Sequence, residues 1–170
     1  MSNTHSASIE ARLETPGSTC VLTYERLNTE AIIGSVGDDA SGATAVFIGT
    51  TRNSFKGKVV TKLEYQAYSK LAVRTMLDII NQARLSTTHS SHHPTSESVQ
   101  SLIHCVIYHR LGTVPVGEPS IVIAVSSPHR REAFAACEQI LEGVKARAQI
   151  WKREFYEGES SEEAEWKTNV

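Results

Sequence analysis

The chain has 170 residues, of which 40% are hydrophobic and 21% are charged, and its formal net charge is −2. This length favours one domain, and the charge argues against a general nucleic-acid binder, which would be strongly basic. No apolar run approaches the roughly 18 residues of a membrane span. The segment MSNTHSASIEARLETPGST has no apolar core of a signal peptide, so secretion is not expected. The three cysteines are widely spaced and odd in number, which is not the pattern of a disulfide framework and favours the reducing cytosol.

The first predicted elements are a leader, a strand and a short helix. Residues 1–18 are polar and show no period, which predicts a disordered leader before a domain over residues 19–170. Residues 20–27 (CVLTYERL) then predict a strand. Asn28 is a suitable N-cap for a helix over residues 29–36.

Two strands, a helix and a polar insertion follow. Residues 43–48 (ATAVFI) are apolar and β-branched, and residues 62–68 (KLEYQAY) alternate between the two faces of a strand. Apolar residues recur at helical spacing over residues 70–84. Residues 85–100 (LSTTHSSHHPTSESVQ) are polar and unperiodic, so they predict a surface insertion, and their histidines lack the partners of a metal site.

The second half of the chain predicts further strands around a long helix. Residues 102–108 and 120–125 read as strands, and the second is apolar on both faces, as expected of a central strand. A helix over residues 129–147 has an apolar stripe that includes Phe134. Strands and helices interleave without internal repeats, so the predicted fold class is α+β in a single domain.

The start of this long helix has an unusual charge pattern. In SSPHRR, Ser127 is a suitable N-cap and Pro128 suits the first helical position. His129, Arg130 and Arg131 follow, although the helix dipole disfavours positive charge there. A bound phosphate would reverse that penalty, because backbone N–H groups and an arginine fork would both contact it. The alternative interpretation is that these side chains simply extend into solvent.

The stretch KARAQIWKRE gathers basic residues around one tryptophan. Lys145 lies near the helix end, where a cation also complements the dipole. If the following residues are extended, Lys152 and Glu154 share one face, and Trp151 and Arg153 share the other, with the tryptophan predicted as a core anchor. Two lysines can serve one anionic pocket, and a lysine of lowered pKa can also act chemically.

A loop arginine adds to this basic set. Arg52 lies in GTTRN, directly after a predicted strand, where functional side chains are common. The sequence shows no Ser-His-Asp pattern, Walker loop, dinucleotide fingerprint or metal box. The residues alone therefore predict a cytosolic domain that binds a phosphate-bearing ligand.

Five segments, taken in order over about residues 20–167, resemble the large, catalytic subunit of molybdopterin synthase. These segments are FIGTTRN (47–53), LEYQAY (63–68), HRLG (109–112), SPHRREAF (127–134) and KARAQIWKRE (145–154). The resemblance implies an α/β hammerhead fold with an additional antiparallel β-sheet. It also implies conversion of cyclic pyranopterin monophosphate (precursor Z) to molybdopterin, with sulfur from a thiocarboxylate on the C-terminal Gly-Gly of a small ubiquitin-like subunit.

The same resemblance implies a heterotetramer built on a homodimer of large subunits, with no cofactor and no metal. Lys152 would stabilise the thiocarboxylate and the oxyanion formed on attack, and Lys145 would act at the pterin. The other implied substrate-binding residues are Arg52, His129, Arg130, Arg153 and Glu154. Two other functions stay open: a non-catalytic docking module for a ubiquitin-like protein, and a phosphate-ester hydrolase.

Overall fold

The computed structural model describes residues 7–88 and 101–170. The strands in these ranges are β1 (Ala11–Thr15), β2 (Ser18–Thr23), β3 (Ala43–Thr50), β4 (Ser54–Phe55), β5 (Lys58–Ala67), β6 (Cys105–Arg110), β7 (Gly112–Pro115), β8 (Pro119–Ser127), β9 (Ile150–Tyr156) and β10 (Lys167–Thr168). The helices are α1 (Thr29–Gly34), α2 (Ser69–Thr88) and α3 (Arg130–Arg147), and a 3₁₀ helix covers Ser161–Glu163. No helix in the described ranges has both the length and the apolar composition needed to cross a membrane.

The first sheet has the strand order β1–β2–β6–β8–β3, with β2 and β6 parallel and the other neighbours antiparallel. The helices α2 and α3 pack on one face of this sheet, and α1 covers part of the other. Every residue of β8 is buried, because Ile121 and Ile123 join the core under α2 and α3 while Val122 joins the core under α1. The prediction of a central strand is confirmed.

The second sheet has the order β10–β9–β5–β4, and β7 also pairs with β5. Tyr65 and Ala67 of β5 are buried and Leu63 is partly buried, as the alternation predicts. A register shift between Val60 and Lys62 turns the strand, so Val60 is buried as well. The α+β class and the additional antiparallel sheet are therefore both confirmed.

The leader prediction is wrong for the described part of residues 1–18. Strand β1 pairs antiparallel with β2, and Gly17, at φ 78°, makes the tight turn between them. Before β1, the Ser8 hydroxyl accepts the Ala67 N–H at 3.1 Å, and the Ala7 carbonyl accepts the Ser69 N–H at 3.0 Å. An edge strand needs few apolar residues, so its composition resembled that of a leader. Residues 1–6 lie outside the described residues.

The predicted insertion begins too early. Residues 85–88 are the last residues of α2, and Thr87 is buried, with its hydroxyl donating to the Ala83 carbonyl at 3.0 Å. Ser101 donates to the Thr87 hydroxyl at 2.8 Å, which joins the helix end to the chain that leads into β6. The rest of the predicted insertion, residues 89–100 with its three histidines, lies outside the described residues.

Two aromatic residues predicted for the core are exposed. Phe134 is 68% exposed, because the buried face of α3 is formed by small and branched residues such as Ala133, Ala136 and Ile140. Trp151 is 38% exposed, since the alternation of β9 gives its core position to the neighbouring Ile150. Apolar identity alone does not decide which face of an element is covered.

Candidate active site

An open cleft of about 250 Å³ lies between the two sheets, lined by side chains from β3, β6 and β8 on one side and from β4, β5 and β9 on the other. Its charged side chains are Arg52, Lys145, Lys152 and Glu154. Four of the seven site residues predicted from the sequence therefore meet in one place. Three cationic side chains and one carboxylate give the cleft a net positive charge, which favours an anionic ligand.

Strand β9 and the end of α3 bring the two lysines together. Lys152 and Glu154 lie on the same face of β9, and both side chains line the cleft. Phe155 is buried on the opposite face of the strand. Lys145 lies in the last turn of α3, and the chain leaves the helix at Ala148 with extended backbone angles before β9 begins. A helix end followed at once by an antiparallel strand thus places lysines seven positions apart around one cavity.

The ammonium of Lys152 is in an unusual electrostatic setting. Burial lowers the pKa of Lys152 below its ordinary value, while Glu154, with an oxygen 3.9 Å from Nζ, partly opposes that shift. The positive charges of Lys145, Lys167 and Arg52 lower the pKa of Lys152 further. More of the amine is therefore uncharged near neutral pH than for an exposed lysine, which makes proton transfer easier.

A tight hairpin holds Arg52 at the cleft. The preceding Thr51 is buried, and its backbone N–H donates to the Glu118 carbonyl at 3.2 Å. The β4–β5 turn then has positive φ at both Lys56 and Gly57, as a two-residue hairpin turn requires. Phe55 of this hairpin lines the cleft, with the Arg52 guanidinium 5.9 Å from its ring centroid. Arg52 therefore lies at the rim of the cleft.

Two uncharged polar residues of the cleft were missed by sequence reasoning. His109 of β6 is fully buried, and burial lowers its pKa to about 4, helped by the charge of Lys145. Its ring meets Tyr65 edge-on, with centroids 4.8 Å apart. Asn169, near the end of the sequence, reaches the same ring with its side-chain nitrogen 3.2 Å from Nε2. The HRLG motif was a signal for His109, but nothing local to Asn169 predicted its place.

The structure separates His129 and Arg130 from this cleft. Both are exposed at the start of α3, and Arg130 is fifteen residues before Lys145, which corresponds to about 22 Å along a helix. The predicted capping is also wrong, because His129 is the N-cap residue and makes no side-chain cap hydrogen bond. Ser127 ends β8 instead, and its hydroxyl donates to the Ser101 carbonyl at 2.5 Å.

Arg153 does not line the cleft that holds Lys152 and Glu154. It points away from Lys152 and Glu154, as the alternation of β9 requires, and its guanidinium bonds Glu64 of β5 at 3.1 Å. The same guanidinium lies 4.7 Å from the ring centroid of Trp166, so Arg153 joins β9 to the segment before β10. Glu154 lines the cleft and accepts a hydrogen bond from the Tyr156 hydroxyl.

Comparisons with known proteins agree with one another. The family described as MoaE protein matches residues 22–147. Proteins named molybdopterin synthase catalytic subunit are 45% identical over 134 residues in Drosophila willistoni, 43% over 148 in Pyricularia oryzae and 42% over 154 in Neurospora crassa. These matches cover 79%, 87% and 91% of this chain, but 32%, 72% and 68% of the respective relatives.

Solved structures show the same fold. Molybdopterin synthase from Staphylococcus aureus superposes with a TM-score of 0.72 at 29% identity, covering 86% of this chain and 94% of that one. A complex of subunits 1 and 2 of molybdopterin-converting factor from Helicobacter pylori has a TM-score of 0.63 at 19% identity, covering 82% and 86% of the two chains. At that lower identity the likeness concerns the fold alone.

Proposed function

Because the chain belongs to the MoaE protein family, we propose that it is the catalytic subunit of a molybdopterin synthase, a sulfurtransferase of molybdenum cofactor biosynthesis. Its substrate is precursor Z, and its sulfur donor is a small ubiquitin-like subunit with a C-terminal Gly-Gly thiocarboxylate. The observation that carries this proposal is the convergence of Lys145, Lys152 and Arg52 on one cleft. Both the pterin phosphate and the thiocarboxylate are anions that such a cluster attracts.

The two lysines divide the chemistry between the two substrates. Lys152, half-buried beside Glu154, stabilises the thiocarboxylate and then the oxyanion that forms when its carbonyl is attacked. Lys145 acts at the pterin, moving a proton or holding an intermediate, while Arg52 contacts the anionic end of the substrate. The sulfur arrives on the small subunit, so the proposal needs no bound cofactor and no cysteine nucleophile.

A reconstituted reaction tests the proposal. The protein is mixed with precursor Z and a thiocarboxylated small subunit, and the dithiolene product is measured by mass spectrometry. Omitting the thiocarboxylate provides the control, since no product should then form. Release of inorganic phosphate without the small subunit would instead identify a hydrolase, and tight binding of the small subunit without product would identify a docking module.

We extend the proposal to a homodimer of this subunit with one small subunit at each end. If His129 and Arg130 bind the substrate phosphate, they cannot serve the cleft of their own chain, which lies about 22 Å away along α3. They serve the cleft of a second copy instead. Phe134 lies one turn after Arg130 and is 68% exposed, which offers that copy an apolar contact.

Mixing two inactive variants is expected to restore activity. In Lys145→Ala and Arg130→Ala homodimers every cleft lacks one residue, whereas a mixed dimer has one complete cleft. After subunit exchange between equal amounts, turnover at low precursor concentration should reach about one quarter of the wild-type value, since half the dimers are mixed and each has one intact site.

A matched mixture shows whether the two residues come from different chains. Lys145→Ala is exchanged with Lys152→Ala, which removes a residue from the same cleft of the same chain. If each cleft takes both lysines from one chain, every cleft in this mixed dimer is incomplete and no activity returns. Equal activity in the two mixtures, or no recovery in the first, would contradict a shared cleft.

Alkylation is expected to leave the native enzyme active. Cys20, Cys105 and Cys137 are free and buried, and burial raises the pKa of Cys20 to about 12 and the pKa values of the other two to about 11. Thiolates are therefore scarce and unreachable, so iodoacetamide should add no mass to the native protein and three alkyl groups to the urea-unfolded chain. Rapid loss of activity with one alkyl group would contradict a reaction without cysteine.

The free thiols also support our proposal that the protein is cytoplasmic, because the cytoplasm keeps cysteines reduced.

A further inference from the structure

Residues 167–170, called the strap below, lie across one side of the cleft. Strand β10 of the strap pairs antiparallel with β9, so that Lys167 is opposite Lys152 and Thr168 is opposite Trp151. Asn169 is only 8% exposed and lines the cleft. The strap therefore contributes a buried polar side chain to the same cavity as the catalytic lysines.

The hydrogen-bond pattern of His109 fixes how Asn169 is held. Nδ1 lies 2.8 Å from the backbone carbonyl of Arg110, which can only accept, so Nδ1 bears the proton. The ring is uncharged near neutral pH, because burial lowers the pKa of His109 to about 4. Nε2 is then an acceptor, and the Asn169 amide donates to it at 3.2 Å. The histidine ring is itself packed edge-on against Tyr65, so the anchor is rigid.

The anchored asparagine is adjacent to the group that bonds the catalytic lysine. The backbone oxygen of Val170 accepts a hydrogen bond from Lys152 Nζ at 3.3 Å. Before the strap, Trp166 stacks against the guanidinium of Arg153, which lies on β9 beside Lys152. Contacts therefore hold the chain on both sides of the β10–β9 pairing: the Trp166–Arg153 contact before it, and the hydrogen bond from Lys152 Nζ to Val170 after it.

We propose that Asn169 is a positioning residue for Lys152. Its amide, anchored on His109, holds the strap against β9 so that the backbone oxygen of Val170 orients the Lys152 ammonium and limits its access to water. The contacts that hold Asn169 and the strap are observed in the structure. The effect of Asn169 on catalysis rests on the proposed function. An asparagine suits this task because its amide donates to Nε2 without adding charge beside two lysines.

Chemical labelling of the lysine amines tests the positioning directly. Intact protein is treated with a limiting amount of acetic anhydride, and acetylation at each lysine is measured by peptide mass spectrometry relative to exposed Lys70. Asn169→Ala removes the donor, and Asn169→Asp replaces it with an acceptor that faces the Nε2 lone pair. Loss of one hydrogen bond should raise Lys152 labelling about 2- to 12-fold, because the strap opens more often.

Thr168→Ala is the matched control, since Thr168 is an exposed strap residue whose register partner is Trp151. Its Lys152 labelling should equal that of the wild type. Equal labelling of Lys152 in the Asn169 variants and this control would overturn the proposal, and so would an equal rise at Lys62, which would indicate general loosening.

Turnover separates this inference from the proposed function. In the reconstituted reaction, the Asn169 variants should lose kcat by a similar factor. The KM for precursor Z should stay within about twofold, since the proposed phosphate contacts are arginines and His129, which Asn169 does not hold. Raised Lys152 labelling with wild-type kcat would overturn the positioning role. If the wild type itself makes no product but labelling at Lys152 still rises, the strap geometry is supported and the proposed function fails.

Discussion

Replacing Lys152 or Lys145 by alanine is expected to reduce dithiolene formation by about 100- to 10,000-fold, the range in which a positioned acid or base contributes to catalysis. Both side chains line the cleft and neither belongs to the hydrophobic core, so the variants should stay folded. Product formed under single-turnover conditions, measured by mass spectrometry, provides the comparison. Binding of the small subunit is measured in parallel by calorimetry.

Arginine at the same positions distinguishes chemistry from charge. Lys152→Arg and Lys145→Arg keep the positive charge, but a guanidinium does not release a proton near neutral pH. Both variants should remain inactive if the amine itself reacts, while Lys70→Ala, at an exposed position on α2, should behave as wild type. Near-normal turnover of either arginine variant would reduce that lysine to an electrostatic role. Unchanged turnover of Lys145→Ala would exclude a catalytic role for that lysine.

Features with a local pattern were predictable from the sequence. The helical spacing of apolar residues marked α2, the apolar run IVIAV marked β8 as central, and the period of two placed Lys152 and Glu154 on one face of β9. Each pattern reflects a repeat of the backbone itself, so it survives without knowledge of the tertiary structure. The two charged side chains that β9 contributes to the cleft were predictable in this way.

The remaining features depend on contacts between distant segments. Asn169 reaches His109 sixty residues away in sequence, and no period or spacing encodes that contact. The alternation along β9 predicted that Arg153 lies on the face opposite Lys152, but its bond to Glu64 of another strand could not be read from the sequence. A histidine can contribute to an anion site, but His129 lies at the opposite end of α3 from Lys145 and so does not reach the cleft of its own chain.

Acid is expected to destabilise the fold through His109. The folded protein holds this imidazole uncharged, because burial and the charge of Lys145 lower the pKa of His109 to about 4, against an ordinary value of 6.5. The unfolded chain therefore binds a proton below about pH 6.5 that the folded chain does not bind until about pH 4, so stability falls as pH falls through that window. By pH 4.5 this one group should lower the free energy of unfolding by about 2.5 kcal/mol.

Urea unfolding at pH 7.0 and pH 4.5 measures this loss, and a His109 variant isolates its source. His109→Gln keeps an amide in the site but cannot titrate, so its stability should fall less between the two pH values than that of the wild type. Protonation of His109 would also affect the cleft. With a proton on Nε2, the histidine could no longer accept the hydrogen bond from the Asn169 amide, so the strap would be released. Identical pH dependence in His109→Gln and wild type would show that this histidine is not the uncharged anchor inferred above.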